Sequence, residues 1–164
     1  MMNDNYSRVV LGTEQLSGID WGTYNPEIVE VIEQAYHNGI RIIDTAPVYG
    51  LGSVEKKLAK ILPSFENEIS IATKCGLKWQ KVNGKRAKTY VDNSEANLVK
   101  EVENSLNRLG LEQIPILMLH RKDINIHLDE SFNCLHKLKE KGLVKHIGVS
   151  NHDLNDLRYL SRNH

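Results

Sequence analysis

The stretch Ile42-Ile43-Asp44-Thr45-Ala46-Pro47-Val48-Tyr49-Gly50 carries an apolar strand, read over residues 40–44, into a carboxylate and then, five residues on, a phenol. The same pattern recurs outward from it. Residues 69–74 form an apolar run closed by Lys74, residues 114–120 one closed by His120, and residues 144–149 one followed by Ser150-Asn151. A shorter first strand is expected over residues 9–13, through Gly12 and Thr13. In each case the polar residue stands on the carboxyl side of the strand.

Helical spacing fills the intervals between these strands. Ile28, Ile32, Ala35 and Tyr36 share one face of a first helix, with Asn25 expected as its cap, Pro26 at its first position and Gly39 as its stop. Ser53 is expected to cap a second helix bearing Val54, Leu58, Ile61 and Leu62, ended by Pro63. Residues 92–94 offer caps for a third, in which Leu98, Val102, Leu106 and Leu109 recur before Gly110. Leu128, Phe132, Leu135 and Leu138 mark a fourth, stopped by Gly142. Asn151 or Asp153 caps a last helix carrying Leu154, Leu157 and Leu160.

Strict strand–helix alternation predicts a parallel sheet with helical crossovers, and side chains at carboxyl strand ends converge on the active face of such a sheet. About five βα units suit part of a (β/α)8 TIM barrel or an open flavodoxin-like five-stranded sheet. The first connection, residues 13–26, has no glycine-rich phosphate loop opening a helix. Gly50-Leu51-Gly52 lacks a third glycine in register, so a dinucleotide fingerprint is not expected there.

Asp44, Tyr49, Lys74 and His120 together meet the demands of carbonyl reduction. Hydride addition to carbon leaves negative charge growing on oxygen, which needs a proton or a positive dipole. A phenol with an ordinary pKa of about 10 holds its proton at neutral pH. A neighbouring Lys74 ammonium is expected to bring the Tyr49 pKa down toward the working range, with Asp44 keeping Lys74 charged and in place. His120, as a neutral ring, can orient the substrate oxygen.

In order and phasing these motifs resemble the aldo-keto reductase family over nearly the whole chain. The resemblance implies Tyr49 as general acid, Lys74 and Asp44 as its tuning pair and His120 as the group that orients the carbonyl. It implies NADPH, with NADH as an alternative, across a barrel mouth, the carboxamide bonded by Ser150 and Asn151 and the ring lying near Gly12, Thr13 and Asp44. The motif from Asp44 to Gly50, followed by Gly52, Ser53 and Glu55, carries most of the specificity. Pro115 stands where many members have an aspartate, and His152 where an aromatic commonly follows the Ser-Asn pair.

Each residue also has a plainer reading. Asp44 can form a turn, Lys74 can end a solvated strand, Tyr49 can pack beside Pro47, and a lone histidine is commonly a satisfied core residue. Ser150-Asn151 is a good helix cap in its own right. The family resemblance implies a barrel that typically takes about 250 residues, so the 164 residues are expected to be a single domain with several units undelivered at its carboxyl end. A truncated or catalytically inactive relative acting by binding or through a partner chain is the competing expectation, with self-association or a partner chain completing the barrel.

Lys+Arg and Asp+Glu are both 21, so no global field draws the chain to nucleic acid or an anionic membrane. A cytoplasmic location, a small carbonyl substrate and neither nucleic-acid nor membrane partners are expected. The segment 78–88 is the exception: Lys78, Lys81, Lys85, Arg86 and Lys88 occur with no acidic residue, flanked by Trp79 and Tyr90. It reads as a solvated loop, as a rim toward an anionic group, or remotely as a nucleic-acid contact. The histidines lack zinc spacing, so no metal site is expected. Cys75 and Cys134 lie far apart and are expected to be reduced thiols.

Overall fold

A computed structural model describes residues 7–17, 27–65, 68–82 and 85–164. Along the chain run β1 (Leu11–Gly12), α1 (Ile28–His37), β2 (Ile42–Asp44), α2 (Ser53–Ile61), β3 (Ser70–Cys75), β4 (Leu77–Val82) and β5 (Lys85–Val91). They are followed by α3 (Glu95–Leu109), β6 (Ile114–Leu119), α4 (Leu128–Glu140), β7 (Val144–Val149) and α5 (Leu154–Asn163). Asn25 and Pro26 lie outside the described residues, and α1 is entered through Glu27.

Five strands pair in parallel in the order β1-β2-β3-β6-β7. This order overturns the flavodoxin-like alternative, which places the first strand inside the sheet and reverses direction around it. Here every crossover steps the same way, the arrangement of a barrel wall. Alternation along the strands then sorts the two faces. Ile43, Ile71, Leu117 and Leu119 join apolar clusters with the helices, the first two with Ile32, Val54 and Leu58, the others with Leu98, Val102, Phe132 and Leu135. The intervening Asp44, Ala72, Lys74 and Met118 take the opposite face, where Asp44 pairs with Ala72 and Lys74 with Met118 across neighbouring strands. Asp44, Lys74, His120 and Ser150 share one parity, so the pleat that buries the helix-side core aims all four to the same side.

A hairpin corrects the expected loop after β3. β4 and β5 pair antiparallel, Leu77 opposite Val91 and Trp79 opposite Thr89, as a separate two-stranded sheet. Gly76 forms its root at φ +87, and a Cβ there would meet the Asn93 side-chain oxygen at 2.0 Å. Its carbonyl accepts from Asp92 N at 3.0 Å, and its N–H is donated to the buried Glu101 carboxylate at 2.5 Å.

Capping differs in detail from expectation. Ser53 is the first residue of α2 rather than its cap, the preceding position being Gly52 in a left-handed conformation. The Ser94 hydroxyl is donated to Asp92 Oδ1 at 2.6 Å instead of capping α3. Of the two residues offered for α5, Asp153 caps it, accepting from Asn155 N at 2.8 Å and Asp156 N at 2.9 Å. Cys75 and Cys134 are free and buried, and burial pushes both thiols above the usual range. No helix among the described residues is long and apolar enough to cross a membrane. No cluster of three or more His, Cys, Asp and Glu among them could hold a metal.

Candidate active site

The turn that presents Tyr49 is built from unusual backbone. After β2, Tyr49 N donates to Ala46 O at 3.0 Å, and the chain passes through Gly50 (φ 57) and Leu51 (φ 54) in the left-handed region. Gly50 suits this place, since a Cβ at its positive φ would be strained and would meet Ser53 Oγ at 2.3 Å unless that hydroxyl turned away. Leu51 holds a conformation that L residues adopt with strain. The Gly-Leu-Gly run is therefore a tight turn into α2.

Lys74 reaches across from β3 into this turn. Its Nζ lies 2.6 Å from Asp44 Oδ1, 2.9 Å from Thr45 O and 3.3 Å from the Tyr49 hydroxyl. Lys74 is only 4% exposed, so its charge depends on the Asp44 carboxylate and the Thr45 carbonyl for stabilisation. On the outer side of β3, Thr73 Oγ1 donates to Glu55 Oε1 at 2.9 Å, while Glu55 Oε2 accepts from Arg108 Nε at 2.6 Å. Glu55 is fully buried. This pair ties α2 and α3 to the strand one residue before Lys74.

His120 closes the far side. Its ring stands edge-on to Tyr49, centroids 6.1 Å apart at 88°. Its backbone N–H donates to Cys75 O at 2.8 Å. Burial first, then the Lys74 and Arg121 cations, press its pKa from 6.5 down to about 4, so the ring is neutral at neutral pH, as expected. Tyr49 departs from expectation: burial, then the Asp44 and Glu14 carboxylates, drive its pKa upward. The Lys74 ammonium, paired with Asp44 at 2.6 Å and 3.3 Å from the hydroxyl, does not outweigh these.

Ser150 and Asn151 complete one rim. Asn151, at φ 57, donates Nδ2 to His120 O and to Ser150 Oγ, each at 3.0 Å. That leaves the Ser150 hydroxyl proton and Asn151 Oδ1 for a ligand, a donor and an acceptor as a carboxamide requires. Asp44, Tyr49, Lys74, His120, Ser150 and Asn151 all line one pocket of about 470 Å³. Gly12 and Thr13 are not among its lining residues. Thr13 is fully buried, its backbone N–H and its hydroxyl both donated to Asp44 O, at 3.0 Å and 2.9 Å, so it holds the strand end that bears Asp44.

Sequence reasoning missed the rest of the lining. Leu77, Ala87 and Thr89 from the hairpin, and Glu14 and Arg121, also face this pocket. On the hairpin, Lys78 and Lys88 stand opposite Tyr90 and Gln80 on the alternate face. Lys78 is bonded to Asp92 at 3.2 Å. The hairpin thus turns apolar and hydroxyl side chains to the site, and these two lysines away from it. The signal available was Asn83-Gly84 between β-prone runs, the commonest hairpin dipeptide.

The family model for the aldo/keto reductase family matches residues 8–164. Aldo-keto reductase YhdN of Bacillus subtilis (strain 168) is 33% identical over 154 residues, covering 92% of this chain and 45% of that protein. The NADH-specific methylglyoxal reductase of Escherichia coli (strain K12) is 32% identical over 164 residues, 93% of this chain and 50% of that one. Among solved structures, the glycerol dehydrogenase AKR11B4 from Gluconobacter oxydans superposes with a TM-score of 0.85 at 37% identity, covering 96% of this chain and 48% of the other. The chain spans about half the length of the relatives it matches.

Proposed function

The chain belongs to the aldo/keto reductase family, and on that premise we propose that it carries the catalytic face for reduction of an aldehyde or ketone to an alcohol. The observation that supports this best is the Lys74 ammonium held between Asp44 and the Tyr49 hydroxyl with the neutral His120 ring edge-on beside the phenol. A reduced nicotinamide, NADPH by family habit or NADH as in the named Escherichia coli relative, supplies the hydride when bound.

The residues act in sequence on the substrate oxygen. His120, neutral at working pH, orients the carbonyl by a hydrogen bond. Tyr49 donates its proton as charge develops on that oxygen. Its raised pKa keeps the proton in place through neutral and mildly alkaline pH, and an alkoxide is more basic than a phenolate, so the transfer still runs downhill. Lys74 then faces a phenolate, whose charge it stabilises at hydrogen-bond distance. Ser150 and Asn151 hold the carboxamide by the donor and acceptor left open between them.

Asn151 tests the cofactor half of this reading. Asn151→Ala is expected to weaken nicotinamide binding by about 0.5–1.5 kcal/mol, read by fluorescence titration, with a thermal melt to separate any loss of fold. Unchanged affinity in a folded variant removes Asn151 from the cofactor site.

A further inference from the structure

Among the described residues, the pocket has a cation without a neutralising partner. Arg121 follows His120 directly and lines the same pocket as Tyr49 and Lys74. Its backbone is fixed, the carbonyl accepting from Asn93 Nδ2 at 3.0 Å. Its guanidinium is exposed and, among the described residues, has no ion-pair or hydrogen-bond partner. The other positive groups nearby are spoken for: Lys74 by Asp44 and Lys122 by Asp156 at 2.6 Å. Arg121 also lies close enough to help lower the pKa of His120.

The opposite charge sits at the other side. Glu14 follows β1, and β2 and β3 lie between that strand and β6, which leads to Arg121. Three strand spacings, about 14 Å, separate the two ends. An anion entering the pocket is repelled from the Glu14 side and attracted to the Arg121 side, which leaves its other end toward Tyr49 and His120. A guanidinium offers the forked donors that match a carboxylate in two parallel bonds.

We propose that Arg121 is a substrate-binding residue that selects aldehydes bearing a carboxylate, holding the anion while the carbonyl faces Tyr49 and His120. This rests on the reductase reading for the role of the carbonyl, but the anion site is a matter of binding and stands on its own.

The test is equilibrium binding of 4-carboxybenzaldehyde and its uncharged methyl ester to the protein, its cooperative folding checked by a thermal melt and binding followed through the ring-proton resonances of His120. The acid is expected to bind about five- to tenfold more tightly than the ester, the effect of one charge-assisted contact near a protein surface. Arg121→Gln closes that gap, Arg121→Lys keeps part of it, Glu14→Gln keeps or widens it, and added salt narrows it. Equal affinities, no binding of either compound, or a gap that survives Arg121→Gln overturns the proposal. Failure of the reductase reading looks different: neither aldehyde oxidises NADPH or NADH, while the binding gap persists.

Discussion

Tyr49 is made a reluctant acid by its burial, and this sets what its removal must do. Tyr49→Phe keeps the ring that packs beside His120 and deletes the proton, so in a complete, active barrel turnover of 4-nitrobenzaldehyde is expected to fall about a hundredfold or more with nicotinamide affinity unchanged. Near-native turnover excludes the phenol as donor. His120 carries a pH signature in stability. Its pKa drops from 6.5 to about 4 on folding, so between those values the unfolded chain binds the extra proton and folding loses free energy as pH falls. The contribution is fully present above pH 6.5 and is lost on passing down through about 4, some 3 kcal/mol in all. Denaturant titrations from pH 7 to 4 are expected to show this slope, flattened in His120→Gln. Asp44, Lys74, His120 and Ser150 were legible because each closes an apolar run, and a strand end is a fixed place on the sheet. The upward shift of Tyr49 was not, since it depends on burial and on how near the Asp44 and Glu14 carboxylates come. Glu14 and Arg121 carry no pattern at all: an isolated charge becomes a pocket wall only once strands are placed.

At the scale of elements, periodicity located the five α-helices described, and local chemistry decided their ends less predictably. Ser53, residues 92–94 and Asn151 or Asp153 all offered caps in sequence, yet Ser53 fell inside α2, Ser94 gave its hydroxyl to Asp92, and of these three helices only α5 has its expected cap side chain, Asp153, accepting helix N–H groups. Competing side chains and backbone direction, invisible in spacing, made the choice. Asp153→Ala is expected to cost about 1 kcal/mol, seen as a lower melting temperature. The bond from α3 to α2 matters more. Arg108→Met leaves the fully buried Glu55 carboxylate without its cation, and a loss of about 3 kcal/mol or more is expected in urea unfolding. Restoring the loss with Glu55→Gln in the same chain would show that the orphaned charge, rather than packing, is responsible. The β4–β5 hairpin escaped notice because its alternating lysines resemble a solvated loop when only charge is counted.

For the molecule as a whole, alternation announced the parallel sheet but left its strand order open, since a barrel wall and a doubly wound sheet share the same string of elements. Pairing decided it. Among the described residues β7 pairs only with β6 and β1 only with β2, so the sheet presents two edges and a face bearing Ile116 and Met118, both half-exposed. The 164-residue polypeptide is expected to self-associate in light scattering and to bind NADPH weakly. A cooperative monomer with micromolar NADPH affinity would contradict this. The two thiols offer a clock for how this architecture comes apart. Cys75 lies on the central strand β3 and Cys134 on the outer helix α4, both shut away from solvent. A maleimide in solution can reach either only during an opening event. Labelling of Cys134 ahead of Cys75 records the helix lifting off while the strands stay joined, and simultaneous labelling records the sheet and its helices dissolving as one.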